Sequence, residues 1–159
     1  MAFTIVCVGK ARERFYADAV AEYVKRMSAL TPCEVIEVPD EPEPKSLSDA
    51  AIEQVKKREG ERILAKIPAQ AHVTAMCIDG REWTSEAFSA HLSELMTRGQ
   101  SRLCFVIGGS LGLHECVLAR ADERLSMGRF TMPHQLARVV LAEQLYRASK
   151  IMAGQRYHK

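Results

Sequence analysis

Segments that read as strands and segments that read as helices alternate along the whole of this 159-residue chain. That is the pattern of an α/β fold built on a mostly parallel sheet. Residues 103–107 (LCFVI) are continuously apolar, as expected of a strand whose two faces are both covered by helices. A glycine run, 108–112 (GGSLG), follows directly, at the kind of strand end where open α/β sheets place ligands. The expected architecture is a doubly wound, mostly parallel sheet with helices on both faces. The length suits one domain spanning 1–159.

Residues 3–8 form a short β-branched run stopped by Gly9, a buried-strand signature. Tyr16, Val20, Tyr23, Val24 and Met27 then recur at three- and four-residue spacing and make one apolar helical stripe. Residues 34–38 alternate acid and apolar and read as a second strand. Pro39, Pro42 and Pro44 impose a stiff acidic loop, because proline continues neither ladder nor helix. Ser48 suits an N-cap, and Ile52, Val55, Glu59, Ile63 and Leu64 follow as a helix with Gly60 as a weak point inside it. A third strand is expected at 73–78, ended by the turn pair Asp79-Gly80. Thr84 or Ser85 caps the next helix, which carries Phe88, Leu92, Leu95 and Met96 and stops at Gly99. After the strand at 103–107 come a short helix with Leu113, Val117 and Leu118, a weak strand at 125–127, and one long final helix beginning near Pro133.

The composition, 47% hydrophobic and 26% charged, is that of an ordinary soluble protein. A net charge of +2 makes no global electrostatic case for nucleic acid. The distribution is uneven, however. Residues 34–61 are acid-rich, whereas Arg138, Arg147, Lys150, Arg156 and Lys159 near the end face a single acid, Glu143. Such asymmetry fits either a polyanion at one end or merely solvated helix faces. The five cysteines form no close pairs, which argues against disulfides and zinc clusters. Cys7, Cys77 and Cys104 sit in apolar runs and read as small buried hydrophobes. No basic leader precedes the first apolar run and no stretch has membrane-span length, so the expected location is the cytoplasm, with no membrane partner.

Several residues invite chemistry. Gly108 to Gly112 matches GxSxG literally, with Ser110 at its centre between a strand and a helix, the context of a nucleophile elbow. Asp122 and then His134 or His158 follow in hydrolase order, so a serine hydrolase is one reading; a structural turn is the other. GxxxxGK[ST] is absent, and no GxGxxG follows the first strand. His72, His91 and His114 are scattered without metal-ligand spacing and read as surface or helix-end residues; no metal is expected. His134, at a helix start, is either a first-turn residue or a donor to a ligand held there. Glu143 and Arg147 stand four apart in the favourable order. They lie on one side with Val140 and Ile151, which leaves open a surface ion pair, a site or a subunit interface.

The stretches FVIGGSLGL, TMPHQLARVVLAEQLYRASKIM and the terminal YHK, with the opening TIVCVGK and the segment EVIEVPDE, closely resemble the small bacterial rRNA large-subunit methyltransferases of the RlmH type, within the SPOUT superfamily. The resemblance runs end to end. It implies a C-terminal part, about 103–159, tied in a deep trefoil knot, which periodicity would not have suggested. It further implies a homodimer that uses S-adenosyl-L-methionine to methylate N3 of a pseudouridine in 23S rRNA of the large subunit or assembled ribosome. Family cofactor contacts fall on Met76, usually leucine there, on Gly108, and on Met127, Gly128, Arg129, Phe130, Thr131 and Met132, largely through backbone. Ser110 then loses its claim as nucleophile. His158 is the first candidate to accept the N3 proton, with Tyr157 against the base, Arg147 stabilising the developing negative charge and Glu143 holding Arg147. His134, Arg138, Lys150, Arg156 and Lys159 are expected on the RNA side, chiefly at phosphates. A non-catalytic ribosome-binding module is the remaining alternative.

Overall fold

The computed structural model describes residues 1–157. Its elements run β1 (Ala2–Val8), α1 (Arg14–Met27), β2 (Cys33–Val38), α2 (Asp49–Leu64), β3 (His72–Glu82), α3 (Ser85–Thr97), β4 (Arg102–Ile107), α4 (Glu115–Arg120), β5 (Glu123–Ser126) and α5 (His134–Met152). The strands form one sheet in the order β2-β1-β4-β3-β5, and every pairing in it is parallel. All the carboxyl ends therefore open on the same edge.

Side-chain alternation divides the core in two, because successive strand residues point to opposite faces. Phe3, Ile5 and Cys7 of β1 and Leu103, Phe105 and Ile107 of β4 pack with Met27 of α1, with Phe88, Leu92 and Leu95 of α3, and with Leu141 and Leu145 of α5. Val6, Val8, Cys104 and Val106 point the other way, toward Ile63 of α2 and Val117 of α4. The sheet is thus wound on both faces, as the sequence pattern predicts.

Local chemistry fixes the helix ends. Ser48 and Thr84 cap as expected, accepting from the Ala51 and Ala87 amides. Gly99, at φ 88°, closes α3 with paired bonds from Gly99 N to Met96 O and from Gln100 N to Leu95 O, the two bonds of a Schellman motif. Gly154 at φ 66° ends α5 in the same way, with Gln155 N bonded to Lys150 O and Gly154 N to Ile151 O.

Three expectations are corrected. First, Asp79-Gly80 does not end β3; the strand continues to Glu82. Leu125 of β5 pairs with both Met76 and Arg81, so residues 77–80 bulge out of the ladder. A Cβ on Gly80 would lie 2.5 Å from the Leu125 carbonyl carbon, so the glycine serves close backbone approach rather than a turn. Second, Gly60 does not interrupt α2, which runs unbroken through it, and the glycine has a packing reason. A Cβ there would stand 2.9 Å from Cys116 Sγ; its absence lets α4 approach. Third, His72 and His91 are not surface residues: their side chains are only 14% and 18% exposed. His114 is a helix-end residue as expected, its Nδ1 accepting from Cys116 N at the start of α4.

Candidate active site

The strand ends and the chain after β5 enclose a cavity of about 240 Å³. Gly108 and Gly109 come from the end of β4, Met76 from β3 just before its bulge and Ile78 from the bulge itself, and Met127, Gly128, Phe130, Thr131 and Met132 from the segment between β5 and α5. Much of the wall is backbone, and two glycines make that possible. A Cβ on Gly108 would fall 2.9 Å from the Gly112 carbonyl carbon. Gly128 adopts φ 115°, a conformation that side-chain-bearing residues rarely take. Ser126 braces this bend, since its hydroxyl accepts from Gly128 N and donates to Gly128 O, both at 3.2 Å. Apolar Ile107, Leu113 and Leu125 complete the interior.

Of the eight residues that the family resemblance assigns to the cofactor, seven line this one cavity. Arg129 does not. His134, expected on the RNA side, lines it too. Burial, and then the neighbouring Arg138 guanidinium, hold its imidazole below the ordinary histidine value. The ring is therefore neutral at physiological pH and carries one donor and one acceptor. Ile107, Leu113, Leu125, Ser126 and Ala137 were read from the sequence only as parts of strands and helices, not as site residues. The first two flank the glycine turn and were within reach of that signal; the others face the cavity only because β5 and α5 return to it.

Tyr157, Arg147 and Glu143 form a second cluster, on α5. The Schellman turn at Gly154 sends the chain back along its own helix. Tyr157 packs edge-on to Tyr146 with centroids 4.8 Å apart, and its hydroxyl donates to Glu143 Oε1 at 3.2 Å. The Arg147 guanidinium lies 4.7 Å over the Tyr157 ring and donates to Glu143. Burial first, and then the Glu143 carboxylate, push the Tyr157 phenol up, so it remains a donor at neutral pH. The tail cluster and the cavity occupy different turns of α5: Glu143 is six residues beyond Ala137, the last cavity-lining residue of that helix, roughly 9 Å along the helix axis. Lys150 donates to Gln155, and Arg156 is exposed. His158 and Lys159 lie outside the described residues.

Arg138 departs from its expected role at phosphate. It is 2% exposed, and its Nη2 donates to Val8 O and Gly9 O at 2.5 and 2.8 Å. It closes off the carboxyl end of β1, where two carbonyls would otherwise be buried unpaired. Ser110 likewise carries no triad. Its exposed hydroxyl donates to Glu43 Oε1 at 2.7 Å. Asp122 accepts from Val73 N at the start of β3, toward the opposite end of the sheet. The cysteines offer no nucleophile either. Burial pushes Cys33 and Cys104 up to about 12 and Cys7 to about 11. Cys77 is half-buried on the cavity wall rather than in the core, and burial raises its thiol as well.

A parallel sheet with a backbone-lined cavity at its carboxyl edge defines a class, α/β proteins that hold a ligand against glycine turns. The particular family follows from comparison. The family model described as "Predicted SPOUT methyltransferase" matches residues 1–158, and the chain belongs to that family. Curated relatives named "Ribosomal RNA large subunit methyltransferase H" include one from Listeria monocytogenes serotype 4b (strain CLIP80459), 55% identical over 159 residues and covering 100% of both chains. Another, from Lysinibacillus sphaericus (strain C3-41), is 54% identical over the same full coverage. A solved structure described as a probable methylase family protein from Haemophilus influenzae Rd KW20 shares the fold at TM-score 0.52 and 13% identity. It is covered over 70% of its length by 99% of this chain.

Proposed function

We propose that this protein methylates 23S rRNA of the large ribosomal subunit, transferring a methyl group from S-adenosyl-L-methionine to N3 of a pseudouridine. The observation that carries the reading is the cavity in which Gly108 and Gly128 expose backbone beside apolar walls. It suits a nucleoside-bearing ligand that needs no charged side-chain fingerprint. Support for the RNA substrate comes from the relatives at 54–55% identity over the full length. When bound, S-adenosylmethionine supplies a methyl on a sulfonium, an electrophile strong enough to make a covalent enzyme intermediate unnecessary.

The chain's own residues bind, orient and handle the proton. Backbone at Gly108 and along 127–132 would hold the cofactor, with Met76, Ile107, Leu113 and Leu125 excluding water from its apolar parts. His134, neutral and half-buried, would offer a hydrogen bond at the helix start. Tyr157 is already oriented by Glu143 and Arg147, so little ordering cost remains when a splayed base arrives. Arg147 would oppose the negative charge that spreads onto the base as N3 loses its proton. His158 is the proposed acceptor. Lys150, Arg156 and Lys159 would meet phosphates.

The active unit in this reading is a homodimer, working where ribosomes are. Two observations favour it. The tail cluster stands apart from the cavity of its own chain, so a second copy's tail is the natural complement. Ile78 and Phe130, 74% and 91% exposed, leave large apolar side chains in water beside the cavity, where a partner would cover them. The reading also takes 1–159 as one domain whose last part, about 103–159, is knotted.

The test is tritiated methyl transfer to ribosomes and free large subunits from a strain lacking the endogenous enzyme, with the modified nucleotide mapped. Label on one pseudouridine N3 is expected. Transfer to another position, or none despite calorimetric binding of S-adenosylmethionine, would overturn the proposal.

A further inference from the structure

The sheet brings together three residues that are remote in sequence and take no part in the proposed transfer. His72 opens β3, Glu123 opens β5, and His91 projects from the middle of α3. One ligand atom from each lies within 4.8 Å of the other two. His91 Nε2 is 2.7 Å from Glu123 Oε2, and His72 Nε2 is 3.2 Å from Glu123 Oε1. The Glu123 side chain is 25% exposed, so the cluster is mostly covered.

We propose that His72, His91 and Glu123 form a site for one divalent transition-metal ion of the zinc class. A plain hydrogen-bond network accounts for only part of the arrangement. Glu123 receives the Thr74 hydroxyl at 2.8 Å and pairs with His91, yet His72 Nε2 is buried with no aligned hydrogen-bond partner. The contact of His72 Nε2 with Glu123 is poorly aligned for a hydrogen bond, and the neutral tautomer protonated at Nδ1 would leave an electron pair at Nε2. A metal ion is the partner that accepts it without a proton of its own.

The ligand set is chemically coherent. Two imidazole nitrogens and one carboxylate oxygen suit zinc and its neighbours and disfavour magnesium and calcium, which prefer all-oxygen shells. Tetrahedral bonds of about 2.0–2.1 Å place ligand atoms roughly 3.3 Å apart. His91 and Glu123 need open by only about half an ångström to reach that spacing. The surrounding shell is also built. Thr74, which pairs with Glu123 in the ladder, donates its hydroxyl to the carboxylate and orients it. Outer partners of this kind fix the ligand rings and carboxylates. Trp83 stacks on the His91 ring at 4.8 Å, and Arg81 covers Trp83 from outside at 3.7 Å.

The site would clamp β5, a four-residue edge strand, to β3 and α3. Glu123 begins that strand, and Ser126, which braces the Gly128 bend, ends it, about 10 Å away. A bound ion would thus stiffen the floor of the cavity without touching its ligand. The inference is independent of which RNA the protein modifies.

Trp83 is the only tryptophan and reports directly on the site. Chelator-stripped full-length protein would be titrated with zinc sulfate by calorimetry and with cobalt chloride by tryptophan quenching and visible absorption. The expected result is saturable one-to-one binding, quenching of Trp83 by cobalt, and a Tm raised by several degrees with zinc but not with magnesium. Thr74→Val should weaken zinc about tenfold, and His72→Gln combined with His91→Gln should abolish binding in protein whose metal-free circular dichroism is unchanged. If the stripped wild type shows no saturable binding, the proposal fails whatever the variants do. It fails equally if the double variant binds as well as wild type, or if cobalt gives thiolate charge-transfer bands that place the ion on cysteine.

Discussion

Arg138 shows how far one side chain's role depends on where the fold puts it. In the sequence it is one of several cations on a basic helix. In the structure it is buried and satisfies the last carbonyls of β1 and the turn after it. Arg138→Ala should therefore cost roughly 3 kcal/mol or more in urea unfolding, because it strips charge-assisted bonds from two buried carbonyls. A variant with unchanged stability and a weaker salt dependence of RNA binding would restore the phosphate role. Glu59 makes a second residue-level case. It is 5% exposed, and its carboxylate accepts the Glu41 amide. Burial raises its folded-state pKa above the ordinary glutamate value. A raised carboxyl pKa contributes no penalty below the unfolded value; stability is lost as pH rises through the folded value and the buried group must ionise. Glu59→Gln keeps an oxygen acceptor for the Glu41 amide and removes that ionisation. Its Tm should gain on wild type at pH 7 and not at pH 4; an equal change at both would refute the assignment.

Strand β3 and helix α2 carry the clearest element-level lessons, both through glycine. Asp79-Gly80 reads as a turn because the dipeptide favours one, but the turn is spent on a bulge that lets Leu125 pair twice. Gly80→Ala would press a Cβ onto the Leu125 backbone, and backbone has nowhere to retreat. A loss of about 2–4 kcal/mol is expected, together with weaker cofactor binding, since β5 leads into the 127–132 wall. Gly60→Ala tests propensity against packing. An isolated helix would gain about 1 kcal/mol. Here the new methyl meets Cys116, His114 and Val117 at 2.9–3.3 Å. Overpacking costs about 1–3 kcal/mol, so the net change should be destabilising in thermal unfolding. Stabilisation would show that α4 yields easily. Helix α5 shows a third point. Gly154 is a stop signal of a familiar kind, yet it gives no hint that the tail turns back to dock Tyr157 on Tyr146.

For the whole molecule, the separation of the tail cluster from the cavity turns on assembly. If the proposed dimer shares its sites, a chain lacking residues 155–159 mixed with a Gly128-blocked chain should regain methyl transfer at one site per dimer. Inactivity of the mixed dimer, with both parents dimeric by sedimentation, would place the tail in its own chain's site. The net charge of +2 supplies little long-range attraction. Methylation should accordingly need large folded RNA, and a short isolated hairpin should be a substrate at least 100-fold poorer, a difference of about 2.7 kcal/mol. Comparable kcat/KM on the two substrates would contradict this.

Much of this protein was legible in its residues. The apolar runs at 3–8 and 103–107, the alternation in 34–38 and the three- and four-residue stripe through Tyr16, Val20 and Met27 are local patterns, and local patterns suffice to specify elements, caps and a parallel sheet. The family resemblance singled out Gly108 and the 127–132 run together as candidate cofactor contacts, and they line one cavity except for Arg129. What the chain pattern withheld are meetings between residues far apart in sequence. Arg138 finds Val8 across 130 positions, Leu125 pairs twice with β3, and His72, His91 and Glu123 converge on one another. Each depends on strand order and on where the helices lie over the sheet, and no local periodicity carries that information.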